Sequence, residues 1–196
     1  TNANVSPIQW TALGGNVDLT LGGTDVLSAI GVQRSGYSTS QSIYTGSALG
    51  RLMVSQDGGQ NWTDRTAGLP TRFIKSITVK PGDANTAYVT FSGFAAGDLT
   101  GHIYRTTDAG ANWTDISGTA GGGGLSDIPV NSLLIDPNDL NKIYVGTDIG
   151  VFRTVVGGTT WEAFTNGIPP AIVNAIVSTS NGATIQAATY GRGAYQ

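Results

Sequence analysis

Short runs of alternating apolar and polar residues, broken at regular intervals by Gly, Pro, Asn and Asp, fill the chain from about residue 26 onward. Alternation with a period of two is the signature of strands, and the intervening residues are turn formers. Residues 130–135 (Val-Asn-Ser-Leu-Leu-Ile) predict a first strand, ended by Asp136-Pro137-Asn138-Asp139, where Pro fixes φ and the Asp and Asn side chains bond nearby amides. Residues 142–147 predict the next strand. Gly150 turns the chain into 151–154, Gly157 and Gly158 turn it again, and 161–164 close the unit before Asn166-Gly167-Ile168-Pro169.

The same frame lies over three further segments. It gives strands at 26–32, 42–45, 51–55 and 62–65, then at 73–79, 86–91, 102–106 and 113–116, and finally at 172–177, 184–188 and 193–195, where a fourth strand is missing. The tryptophans mark the period: Trp10, Trp62, Trp113 and Trp161 lie 52, 51 and 48 residues apart. A repeat of about 50 residues with four short strands each predicts an all-β array of antiparallel four-stranded blades, a β-propeller. The expected blades are about 26–70, 71–129, 130–170 and 171–196, with residues 5–14 supplying the strand the last one lacks. Ile8-Gln9-Trp10-Thr11-Ala12-Leu13 matches the segment that starts at Asn112-Trp113, and the spacing from Trp161 around to Trp10 is 45 residues. Such closure would hide an edge that otherwise templates aggregation. The sequence predicts a single domain, either a four-bladed ring or the C-terminal part of a larger propeller.

Each tryptophan after the first ends the same local text. Ser55-x-Asp57-x-Gly59-x-x-Trp62 and Thr106-x-Asp108-x-Gly110-x-x-Trp113 are full copies, and Thr154-x-Val156-x-Gly158-x-x-Trp161 lacks the Asp. This text resembles the Asp-box, or BNR repeat, of sialidases, xyloglucanases and the sortilin ectodomain. The resemblance implies a structural role: the carboxylate accepts turn amides, Gly takes a conformation that a Cβ would forbid, and Trp packs between sheets. It also implies a place on the hairpin between third and fourth strands, away from the face where active sites form, and a looser hairpin at Val156. The ending Ala188-Thr189-Tyr190-Gly191-Arg192-Gly193-Ala194-Tyr195 looks like the final blade of large secreted bacterial propeller proteins.

Composition narrows the chemistry. Only 12% of the 196 residues are charged, with ten basic against thirteen acidic and no basic run, which disfavours nucleic acid and anionic lipid. There is no cysteine, so disulfides and thiolate metal sites are excluded. No apolar run approaches the ~18 residues of a membrane-spanning helix. The Gly-, Thr-, Asn- and Ser-rich, weakly charged surface points to a secreted or cell-surface protein, and the start at Thr1 to processing or excision from a longer chain.

Catalysis finds little support. A sialidase-like site needs a Tyr nucleophile with a Glu partner, yet the one Glu, Glu162, follows a motif Trp on an outer strand. A xyloglucanase-like site needs two catalytic Asp on separate propeller domains, whereas Asp18, Asp25, Asp98, Asp127, Asp136 and Asp139 lie in turns and loops and read as turn formers. His102 stands alone at a strand start and reads as a half-exposed blade histidine. Asp136 and Asp139 offer hard oxygens for at most a weak Ca²⁺ site, and no other cofactor is expected. The sequons at Asn61 and Asn112 fall inside the repeated motif. The glycine run 121–124 lies in an inter-blade loop, and loop aromatics Tyr37, Phe94 and Tyr190 are the candidate ligand contacts. The favoured reading is a non-catalytic interaction module binding a glycan or protein, with further blades or a second copy as possible partners. The alternative is part of a glycoside hydrolase whose catalytic residues lie outside this chain.

Overall fold

A computed structural model of the chain describes residues 12, 13, 15, 17–33, 42–94, 101–119, 121–125, 127–155, 158–165, 167–179 and 181–196. Among them are fifteen strands. The first sheet holds β1 (Leu27–Val32), β2 (Ile43–Ser47), β3 (Leu52–Ser55) and β4 (Thr63–Asp64); the second β5 (Ile74–Val79), β6 (Ala87–Phe91), β7 (Ile103–Thr106) and β8 (Thr114–Asp115). The third holds β9 (Val130–Ile135), β10 (Lys142–Thr147), β11 (Gly150–Val155) and β12 (Glu162–Ala163). The last holds β13 (Val173–Ser178), β14 (Ile185–Thr189) and β15 (Gly193–Tyr195), with three strands among the described residues. Every pairing is antiparallel between sequence neighbours, so each sheet is a meander of four strands, or three in the last, and the sheets are arranged around a common axis.

Strand starts fall within a residue or so of the sequence expectation, but the outer strand of each of the first three sheets is shorter. Only two residues pair there, as in Met53↔Asp64 and Val54↔Thr63. Residues 5–14, expected to complete the last sheet, lie mostly outside the described residues, as does Val156.

The core sits between sheets. Tyr44, Leu52 and Val54 of the first meet Ile74, Ile77, Val79, Val89 and Phe91 of the second. Tyr88, Ile103 and Ile116 meet Leu133, Ile143, Val145 and Trp161 of the third, and Tyr144 and Val151 meet Val173, Ile176 and Ala187 of the fourth. Both faces of the second strand therefore pack, and β2 and β6 are buried at all five positions rather than at alternate ones. Hydroxyls reinforce the seams: Ser28 Oγ donates to Ile74 O at 2.7 Å and Thr78 Oγ1 to Leu133 O at 3.0 Å.

The leading face of the first sheet differs. Ile30 is 66% exposed, while its counterparts Ile77, Leu133 and Ile176 are 7, 6 and 5% exposed. Ile30 and Val32 instead border a central cleft together with Val79, Ile135, Ile176 and Val177, drawn from all four inner strands.

Close approach makes glycine necessary in the second strands. A Cβ on Gly146 would lie 2.8 Å from Val173 Cγ1 and 2.9 Å from its carbonyl oxygen, and one on Gly46 would overlap the Ile74 side chain. Gly146→Ala should therefore lower stability by about 1–3 kcal/mol, measured as the urea midpoint at unchanged slope.

Candidate functional site

The meander sends alternate connections to opposite faces. On one face, the turns between first and second strands meet the hairpins between third and fourth, as when Ala109 N donates to Asn85 O and Tyr44 OH to Ala84 O. On the other, the loops between second and third strands meet the links between sheets, as when Ser92 N donates to Phe73 O and Tyr190 N to Ile172 O.

The repeated motif occupies the hairpin face. In the first copy Ser55 Oγ donates to Asp57 Oδ1 at 2.8 Å and accepts from Gly59 N, and Asp57 accepts the amides of Gln60 and Asn61 and the Asn61 side chain. In the second, Thr106 Oγ1 donates to Asp108 Oδ1 and accepts from Gly110 N, while Asp108 accepts from Asn112 N and Nδ2. Gly59 and Gly110 have φ of 91° and 81°, the left-handed region. Backbone and side-chain bonds from Asn61 hold the Asp57 carboxyl down at about 2, and side-chain and backbone bonds from Asn112 do the same for Asp108. In the third copy Thr154 Oγ1 donates to Thr160 O.

The tryptophans of the second and third copies donate across the seam. Trp113 Nε1 reaches Arg65 O at 2.8 Å and Trp161 Nε1 reaches Ile116 O at 2.9 Å, each acceptor three residues beyond the preceding tryptophan. Trp62 Nε1 instead bonds Gly59 O of its own turn at 3.0 Å.

The loop face carries the more reactive grouping. His102 is buried, not half-exposed, and not alone. Its Nδ1 lies 3.0 Å from Phe91 O, an acceptor only, so Nδ1 carries the hydrogen. Its Nε2 lies 2.6 Å from Asp127 Oδ1 and 3.2 Å from Arg72 Nη1. These neighbours suit opposite states: the carboxylate binds a protonated Nε2, and the guanidinium donates to a bare one. Ser117 Oγ accepts the amides of His102 and Ile103, fixing the strand start. The Phe94 ring stands edge-on to His102 at 6.5 Å and is 65% exposed. Asp127 is thus a partner of His102 and not a simple turn former.

Of the sequence-predicted contacts, Phe94 joins this cluster and Tyr190, 73% exposed, lies on the same face two sheets away; Tyr37 lies outside the described residues. Asp136 Oδ1 accepts Asn138 N, Asp139 Oδ1 accepts Asn141 N, and Asp139 Oδ2 lies 3.4 Å from Lys142 Nζ, so both carboxylates serve their own turns. No group of three or more His, Cys, Asp and Glu with metal-binding geometry occurs among the described residues. Glu162 pairs with Arg153 at the outer edge of the third sheet. The glycine run is exposed at residues 121–123 and is anchored toward its end: Trp161 N donates to Gly123 O, and a Cβ on Gly124 would collide with Thr119 N.

Four antiparallel meanders around one axis, with no helix among the described residues, define the class: the chain is a β-propeller array of four blades. No protein-family profile matches the sequence. Among curated proteins it is similar to a xyloglucanase of Hypocrea jecorina (strain QM6a), 29% identical over 125 residues, which is 62% of this chain and 14% of that protein. Among solved structures it is similar to an ancestral GH74 enzyme, with a TM-score of 0.62, 22% identity and coverage of 82% of this chain and 21% of that one. It also resembles the GH74 xyloglucanase from Xanthomonas campestris, with a TM-score of 0.61 and 14% identity over 83% of this chain and 26% of that one. The computationally designed Ika4 protein, with a TM-score of 0.61 and 11% identity, is matched over 91% of this chain and 96% of its own. The chain thus spans only a small part of the glycoside hydrolases it matches.

Two outcomes follow from these geometries. Because the folded pKa of Asp57 and Asp108 lies near 2 against an ordinary 3.8, their stabilisation is complete above about pH 4 and is lost as pH falls toward 2. Asp57→Asn/Asp108→Asn should flatten the fall in melting temperature between those values. His102→Ala leaves the buried Phe91 carbonyl without its donor and empties the space between Arg72 and Asp127, and should cost about 2–4 kcal/mol in chemical denaturation.

Proposed function

We propose that the chain is a non-catalytic, carbohydrate-binding β-propeller module of a secreted or cell-surface protein, its hairpins belonging to the Asp-box type and its ligand meeting the loop face. The observation that carries this reading is the use of the carboxylates, which accept hydrogen bonds from their own turns. The Thr20 hydroxyl lowers Asp18, Asn61 lowers Asp57, the Thr86 hydroxyl lowers Asp83 and Asn112 lowers Asp108. Burial pushes Asp25 and Asp64 up, but their amide and hydroxyl donors outweigh it. Glycoside hydrolysis needs one carboxyl kept protonated near neutral pH beside an ionised one, and none of these six carboxyls is held that way.

The loop face supports this reading through its exposed rings, Phe94 and Tyr190. Beside them on the same side lie the exposed Asp127 and half-buried Asp148 carboxylates, held from below by buried His102 and Asn131, Asn131 Nδ2 donating to Asp148 Oδ1 at 2.8 Å. The likeness to xyloglucanases supports a β-glucan-type polysaccharide as ligand. The same likeness favours one alternative, in which these are blades of a longer glycoside hydrolase that draws its acid and base from elsewhere.

Affinity electrophoresis in gels containing xyloglucan, beside a reducing-sugar assay on the same preparation, separates the two. Retardation without sugar release is expected, and Phe94→Ala or Tyr190→Ala should weaken it by at least about threefold, the scale of one lost ring contact. Sugar release that survives purification would contradict the binding reading, and retardation unchanged in both variants would remove the loop face from it.

A further inference from the structure

His102 is the one histidine in the sequence, and its contacts do not suit a single charge state. Nδ1 commits its hydrogen to Phe91 O at 3.0 Å, since a carbonyl can only accept. Nε2 is the ring site left to titrate. Asp127 Oδ1 lies 2.6 Å from it, a separation that needs a hydrogen between the two atoms, because facing lone pairs repel. That hydrogen sits on the imidazole or on the carboxyl, and in either case the pair holds one proton more than a neutral ring beside an ionised carboxylate. Arg72 Nη1, 3.2 Å from the same nitrogen, is a donor only and bonds Nε2 once the extra proton has gone.

The ring is fixed and the carboxylate is not. The His102 side chain is 3% exposed, its backbone amide and that of Ile103 donate to Ser117 Oγ, and Phe91 O holds Nδ1. The Asp127 side chain is 38% exposed, on the link between β8 and β9. That link is pinned on either side of it by buried Leu125, whose amide donates to Ser117 O at 2.8 Å, and by buried Pro129. Two charged groups face the imidazole among the described residues: Arg72, from the link between β4 and β5, and Asp127. The Asp115 carboxylate of β8 is occupied one step away, accepting Ser117 N at 2.8 Å, while β6 offers a carbonyl and the excursion after it the uncharged Phe94 ring.

We propose that His102 is a positioning residue of the loop face: with the extra proton it ties the Asp127 carboxylate beside the Phe94 ring, and without it the carboxylate is released and the imidazole passes to Arg72. The proton leaves through Asp127, whose outer side opens to solvent, and returns the same way. In the tied state the loop face offers a fixed acceptor next to an exposed ring, which suits a sugar that stacks one face and donates a hydroxyl. In the released state the carboxylate has to be ordered when a ligand arrives, which costs part of the binding free energy. Glycan binding therefore strengthens as pH falls, through an imidazole that lies beneath the surface. This last step rests on the binding reading; the switch does not.

Two measurements test the switch and its coupling separately. A nitrogen–proton correlation spectrum of the imidazole in the untagged chain, free of overlap because the sequence has one histidine, should show Nδ1 protonated throughout and Nε2 gaining its proton as pH falls from about 8 to about 5. Nε2 protonated and Nδ1 bare at about pH 8 would overturn the switch, since that neutral ring keeps Asp127 without an extra proton. In xyloglucan gels the affinity should be at least about threefold higher at about pH 5 than at about pH 8. Asp127→Asn should flatten that ratio, because a side-chain amide donates to a bare Nε2 at either pH. Equal retardation of the parent at both pH values, or a ratio that survives in Asp127→Asn, would overturn the coupling. No retardation at either pH defeats the binding reading, and the switch then stands or falls on the imidazole spectrum.

Discussion

The fold depends on apolar seams between blades, two of which are crossed by an indole hydrogen bond. An isolated four-stranded meander of this size buries too little to persist alone, so each blade is stable only against its neighbours. Trp113 and Trp161 each bridge a seam with their indole N–H, one carbonyl away from the end of the previous outer strand. An indole N–H buried without a partner would forfeit about 1–3 kcal/mol of what its ring contributes at a seam, so the bond favours one depth and register of neighbouring blades. Everything else in the motif prepares that bond. The Ser or Thr hydroxyl and the Asp carboxylate satisfy the turn amides, the left-handed glycine lets the preceding strand approach, and the two-residue outer strand delivers the ring.

This division of labour separates the two faces of the array. The motif uses its carboxylates entirely on the hairpin face, where Asp57 and Asp108 serve backbone amides. The loop face is left free to vary: a short turn at Ala48 and Leu49, a long excursion after Phe91, and a glycine-rich link after Ile116. His102 and Asp127 come together because that excursion and that link are neighbours, and Arg72 arrives from the link one blade earlier. Three connections of the loop face, β4–β5, β6–β7 and β8–β9, thus converge on one imidazole, which ties the loop face to the seams beneath it.

The strands, their order and the hairpin motif were legible in the sequence because they rest on local alternation and on text repeated about every 50 residues. Two things were not. The outer strands shrank to two residues because pairing beyond Asp64, Asp115 and Ala163 gives way to the inter-blade links, a limit set by the neighbouring blade and not by propensity. The His102 cluster was invisible because its members lie 25 and 30 residues from the imidazole, at spacings with no motif, and are joined only by tertiary packing. Burial of both faces of β2 and β6 likewise erases the alternation that would mark one inner face.

Indole hydrogen exchange by NMR tests the central claim most directly, because the side-chain N–H of each tryptophan gives its own resonance. The seam bonds predict that the indole protons of Trp113 and Trp161 exchange only through opening of the seam and are far slower than that of Trp62, which bonds its own turn. Exchange of Trp113 and Trp161 as fast as that of Trp62 would contradict a structure held together across its seams by these two donors.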